Sequence, residues 1–132
     1  MRKSLLIIGL FLTLILAGWA SNSTSDGVAV SPSTYDFGDI AQSEGVVSTT
    51  FTIVNTSKSE IVINRLSTSC GCTTAKMDES PLKPGESRTM TVTFDPMVHP
   101  DQFGRIERVV YLQTSDPGQP EIEINITGNI TP

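Results

Sequence analysis

From Val28 onward, apolar and polar residues alternate in short runs separated by turn formers. This period of two is the pattern of strands with one buried and one solvated face. In Val46–Asn55 (VVSTTFTIVN), Val47, Thr49, Phe51 and Ile53 share one face, and Ser48, Thr50 and Thr52 share the other. Arg88–Phe94 (RTMTVTF) sets Met90, Val92 and Phe94 against Thr89, Thr91 and Thr93. Val28–Ser31, Tyr35–Ile40, Ile61–Leu66, Ile106–Leu112 and Glu121–Ile126 are further runs, the last with Ile122, Ile124 and Ile126 on one face. Pro32, Ser57-Lys58-Ser59, Pro84-Gly85, the loop Asp95–Gly104 and Asp116-Pro117-Gly118 punctuate them. Seven strands at this spacing, with no helical period among them, predict an all-β sandwich over residues 28–132. A small barrel satisfies the same alternation. The expected core comprises Phe51, Ile53, Ile61, Ile63, Val92, Phe94, Val110, Leu112, Ile122 and Ile124.

The first twenty residues follow a different rule. Met1-Arg2-Lys3-Ser4 is a short basic start, Leu5–Leu16 is an almost unbroken apolar run, and Ala17, Gly18 and Ala20 are small. That order is the layout of a secretory signal peptide, and the run is short against the roughly twenty residues of a spanning helix. Residues 1–20 are therefore read as a hydrophobic targeting helix, either cleaved or retained as a signal anchor that attaches the chain to a membrane. Leu16-Ala17-Gly18 resembles the start of a lipobox, but Trp19 stands where the lipidated cysteine would be, so a lipid thioether cannot form. Residues 21–27 (SNSTSDG) are small and polar and read as a linker.

Charge narrows the partners. The chain carries a net charge of −5, and Arg2 and Lys3 belong to the leader, so seven basic residues face fourteen acidic ones in the remainder, a balance of −7. An acidic body without a basic stripe argues against nucleic acid and against anionic lipid head groups. The partner expected for a monomeric exported domain of this kind is another envelope protein.

Phe37-Gly38-Asp39-Ile40, Phe51-Thr52-Ile53-Val54-Asn55-Thr56, Ser69-Cys70-Gly71-Cys72-Thr73, Pro84-Gly85-Glu86 and Ile124–Gly128 (INITG) occur in this order. The ordered set resembles the bacterial "domain of unknown function 1573" family, immunoglobulin-like domains related to Hydin-type and major sperm protein domains. The resemblance implies a seven-stranded immunoglobulin-like sandwich behind an export or lipoprotein signal, and the leader predicts a place in the periplasm or at the cell surface. It implies no activity.

Cys70 and Cys72 are the only cysteines and cannot build a four-cysteine zinc site alone. They fit a local disulfide in an oxidising compartment, a soft-metal site completed by His99 or a methionine, a packed pair at a strand end, or intermolecular pairing. An extended strand would hold residues two apart at about 6.6 Å between Cα atoms, near the upper end for a disulfide, so Gly71 is expected to bend the chain with a positive φ. No serine, cysteine or aspartate has a partner base in the sequence, so no catalytic residues are assigned and no cofactor is expected. The reading is a non-enzymatic binding or scaffolding module of the envelope. Its alternative is a thiol-redox or soft-metal protein acting through Cys70 and Cys72.

Overall fold

The computed structural model describes residues 26–132; the targeting helix expected over residues 1–20 and most of the linker lie outside them. The strands are β1 (Val28–Ser31), β2 (Thr34–Ala41), β3 (Val47–Asn55), β4 (Ile63–Thr68), β5 (Thr73–Lys76), β6 (Ser87–Phe94), β7 (Gly104–Thr114) and β8 (Glu121–Thr131). They form two four-stranded sheets, ordered β1-β3-β6-β5 and β2-β8-β7-β4. Every pairing is antiparallel except that of β2 with β8. Among the described residues no helix is long and apolar enough to cross a membrane.

The architecture is the expected sandwich with one strand more: eight, not seven. The additional strand, β5, has the sequence TTAK and pairs only with β6, from Thr73 opposite Phe94 to Lys76 opposite Thr91. Its sole apolar residue is Ala75, too little alternation for the sequence to mark it. A second difference lies at Ile61. The expected strand Ile61–Leu66 starts at Ile63 and runs on to Thr68, while Ile61 exchanges backbone hydrogen bonds with Leu82.

Inward faces of both sheets meet in one core built around Phe51, Ile53, Met90, Val92, Phe94, Val110, Leu112, Ile124 and Ile126. Of the ten residues expected there, nine are buried; Ile122 is half-buried and packs against the rest. β8 continues past Ile126 because Gly128 and Ile130 keep the inward alternation. A Cβ on Gly128 would come within 2.7 Å of the Ile40 side chain, so glycine is what lets β2 lie against β8 there.

Carboxylates pin a bulge within β2 and two turns at the rim. The Gly38 N–H donates to Asp36, whose carboxyl is held below its ordinary range by that bond and by Arg105. Asp78 accepts from the Ser80 hydroxyl and N–H, and Glu86 accepts from the Lys83 N–H and from Arg88, with the same direction of shift in both. A group depressed in the folded state contributes stability above its unfolded pKa and loses it as pH falls. The denaturation midpoint should therefore hold from neutral pH to about pH 5 and decline below about pH 4. The decline should be slight, because these groups are exposed and screened by salt. A midpoint that rises on acidification would contradict the assignment.

Candidate functional site

Two sheet crossovers converge at one end of the sandwich. The chain leaves β4 in one sheet, turns through Ser69–Cys72 and enters β5 in the other; the loop between β6 and β7 makes the return crossing. Asp95, at the start of that loop, donates its N–H to the Cys72 carbonyl at 2.8 Å, which ties the two crossovers together. The Asp95 side chain accepts from the Met97 N–H and caps the short 3-10 turn Pro96–Val98. Gln42, from the connection between β2 and β3, donates to the carbonyls of Pro96 and Pro100 on either side of His99. His99 is thereby fixed over the Cys70–Cys72 turn.

Cys70 and Cys72 are joined by a disulfide, with Cα atoms 5.2 Å apart. The route to that approach differs from the expected one. Positive φ values fall at Gly27, Gly38, Gly45, Gly85 and Gly104, not at Gly71. What shortens the span is a turn in which the Thr73 N–H donates to the Cys70 carbonyl at 3.1 Å. The Thr68 hydroxyl, 2.9 Å from the carbonyls of Cys70 and Thr73, braces it from below. Gly71 is exposed, with open space where a side chain would project.

The two sulfurs lie in unlike surroundings. Cys70 is half-buried and accepts from the Cys72 N–H at 3.2 Å and from His99 Nε2 at 3.4 Å. A bridged sulfur carries no hydrogen, so this last contact requires the proton on Nε2. Cys72 is 2% exposed and accepts from Arg108 Nε at 3.1 Å, with the Thr73 hydroxyl at 3.6 Å. Arg108 is held by Gln102 Oε1 and the Glu107 carbonyl, both at 2.8 Å, and makes no ion pair among the described residues. Its Nε is thus left to the Cys72 sulfur while both terminal nitrogens bond oxygens. Beside the bridge opens a cavity of about 610 Å³, lined by Val98, His99, Pro100, Asp101, Gln102 and Arg108. Val98 is exposed, as are Met97 and Phe103 in the same loop.

The ligand atoms of Cys70, Cys72 and His99 lie within 4.8 Å of one another. With the bridge reduced, two thiolates and one imidazole would form a set suited to a soft ion such as Cu(I). The structure thus brings together all three residues that the sequence singled out. Arg108 joins them without a motif of its own, yet the sequence holds a signal for it: it has the same strand parity as Ile106, Val110 and Leu112, which are buried. A charge on an inward face demands a partner.

Residues 28–130 match a family described as a protein of unknown function, DUF1573. The chain belongs to the DUF1573 family. No curated protein matches it. Among solved structures, a protein of unknown function from Porphyromonas gingivalis W83 is similar at 20% identity and a TM-score of 0.70, over 78% of this chain and 46% of that one. This DUF1573 chain therefore spans less than half of that relative. The ASH / PapD-like domain of human CEP192 is similar at 11% identity and a TM-score of 0.61, over 99% and 96% of the two chains. The periplasmic chaperone SfaE aligns at 11% identity and a TM-score of 0.51, over 80% of this chain and 58% of that one. At such identities the likeness is one of fold, an immunoglobulin-like sandwich.

Proposed function

We propose that this DUF1573 domain is an exported, non-enzymatic binding module of the cell envelope, and that it holds a second envelope protein at the end carrying the Cys70–Cys72 turn. The observation that carries the reading is the cavity lined by Val98, His99 and Arg108, in a loop that also exposes the apolar side chains of Met97 and Phe103. Apolar groups around a polar floor are the makeup of a protein contact. The leader supports export, and the sandwich shared with a periplasmic chaperone supports a role in contacting proteins. The test is photocrosslinking in intact cells from residue 98 or residue 103. A partner crosslinked there and absent from a probe at Lys58, in the exposed turn after β3 at the opposite end, supports the site; equal capture from both positions rejects it.

A second reading, thiol-redox or soft-metal handling through Cys70 and Cys72, is favoured by a specific observation. Each sulfur has a hydrogen-bond donor from outside its own turn, His99 for Cys70 and Arg108 for Cys72. A purely packed cysteine pair has no use for either. Counting alkylatable thiols and bound copper on protein isolated from its own envelope under acid trapping separates this reading from simple packing.

A further inference from the structure

The inequality between the two sulfurs has a chemical direction. We infer that the Cys70–Cys72 bridge takes part in thiol–disulfide exchange with a protein dithiol, entered at Cys70 and released at Cys72. This rests on the thiol reading above and deepens it. An incoming thiolate must approach one sulfur along the S–S axis and push electrons onto the other. Cys70 is the accessible one: it is half-buried, touches His99, which lines the cavity, and residue 71 has no side chain to cover it. Cys72 is 2% exposed and out of reach of a protein thiol.

The leaving sulfur is the one that must carry new negative charge, and Cys72 is built for it. Arg108 Nε donates to its Sγ at 3.1 Å, and that guanidinium makes no ion pair among the described residues. In the first step a thiolate of the partner attacks Cys70 Sγ. The partner–Cys70 disulfide forms, the Cys70–Cys72 bond breaks, and its electron pair goes to Cys72 Sγ beside Arg108. In the second step the partner's other thiolate attacks the partner sulfur of that mixed disulfide. The partner disulfide forms, and Cys70 leaves as a thiolate that accepts from the Cys72 N–H and His99 Nε2. The partner dithiol has lost two electrons, which the cysteine pair has gained, and the two protons left the partner's thiols for solvent when its thiolates formed. Exchange with an incoming disulfide, run in reverse, restores the bridge.

This arrangement makes Arg108 and His99 unequal in their effects. Arg108 acts on the first step and His99 on the second, because each touches the sulfur that leaves in that step.

The experiment uses the full chain with reduced glutathione as the probe, acid quenching and peptide mass spectrometry to locate the adduct. Glutathione should be found on Cys70, with the Cys72 adduct at less than about a tenth of it at early times. Arg108→Met should slow adduct formation by about tenfold, the loss expected when a charge-assisted hydrogen bond to a leaving thiolate is removed. Arg108→Lys should recover part of the rate, and neither variant should move the adduct from Cys70. Denaturation midpoints of the variants show whether the rates are read on folded protein. An early adduct chiefly on Cys72, or an Arg108→Met rate equal to the parent's in folded protein, overturns the direction and leaves a reducible bridge standing. If two thiols alkylate in protein trapped from its envelope and oxidised glutathione cannot close the bridge, the thiol reading itself falls, and the inference with it.

Discussion

Phe51→Ala should lower the stability of the domain by about 3–5 kcal/mol, enough to consume a large share of what a domain of this size possesses. Phe51 is 1% exposed and lies in mid-strand on β3, opposite Met90 on β6, where neighbours on both sheets are already packed and cannot move in to fill the void. Phe94→Ala should cost a similar amount, since Phe94 is equally buried. The two differ in what else they disturb. Phe94 ends β6, faces Thr73 across the pairing with β5, and precedes Asp95, whose N–H holds the Cys72 carbonyl. Truncating it should loosen the Cys70–Cys72 turn as well as the core. Urea denaturation measures the first effect, and the rate of bridge reduction under native conditions measures the second. Phe94→Ala should raise that rate above the Phe51→Ala value at matched stability. Unchanged midpoints in both variants would mean that the inward face of β3 and β6 is wrongly assigned.

Alternation exposes strands whose two faces meet different solvents, and β3, β6 and most of β8 were legible for that reason. It cannot expose β5, because an edge strand of four residues with one apolar side chain owes its conformation to the ladder with β6, not to its own pattern. It misplaces the start of β4 for a related reason. Ile61 and Ile63 have the same parity and are both buried, yet the Ile61 backbone is taken by Leu82, and the ladder with β7 shifts register between Ile63 and Arg65. Gly128 hides the last part of β8: an inward position without a side chain breaks the pattern that a reader follows, although Ile40 fills the space.

The site is legible to a different degree. Cys70 and Cys72 announce themselves by their chemistry, and His99 by being the only histidine. Their meeting does not follow from any local pattern. It requires that the β4–β5 and β6–β7 connections cross between sheets at the same end, which is a property of the strand order. Arg108 shows where a sharper rule exists. Once strand parity is set by Ile106, Val110 and Leu112, an arginine at the same parity is a charge turned inward, and such a residue must be satisfied by the fold or serve a site.

The same rule finds the polar residue whose loss should matter most to folding. Asn55 follows Phe51 and Ile53 at inward parity and is 0% exposed. Its Nδ2 donates to the Ser59 carbonyl at 2.8 Å and the Leu82 carbonyl at 2.9 Å, and its Oδ1 accepts from the Ser57 N–H at 2.9 Å and the Ser57 hydroxyl at 2.7 Å. One amide thus organises the turn after β3 and anchors the segment at Leu82, which in turn pairs with Ile61. Asn55→Ala removes all four side-chain bonds and leaves a gap that water cannot readily enter. With an unsatisfied buried group costing about 1–3 kcal/mol, the total should reach several kcal/mol, comparable to Phe51→Ala. Asn55→Asp is the sharper comparison. It keeps the acceptor toward Ser57 but turns two donated bonds into a carboxylate facing two carbonyl oxygens, so at neutral pH it should be at least as damaging as alanine. Lowering the pH should partly relieve it, since a protonated carboxyl regains one donor. Urea midpoints of the two variants at pH 7 and pH 5 decide the matter: Asn55→Asp should gain stability relative to Asn55→Ala on acidification. A pH-independent difference between them would place the Asn55 side chain in contact with solvent, contrary to its burial here.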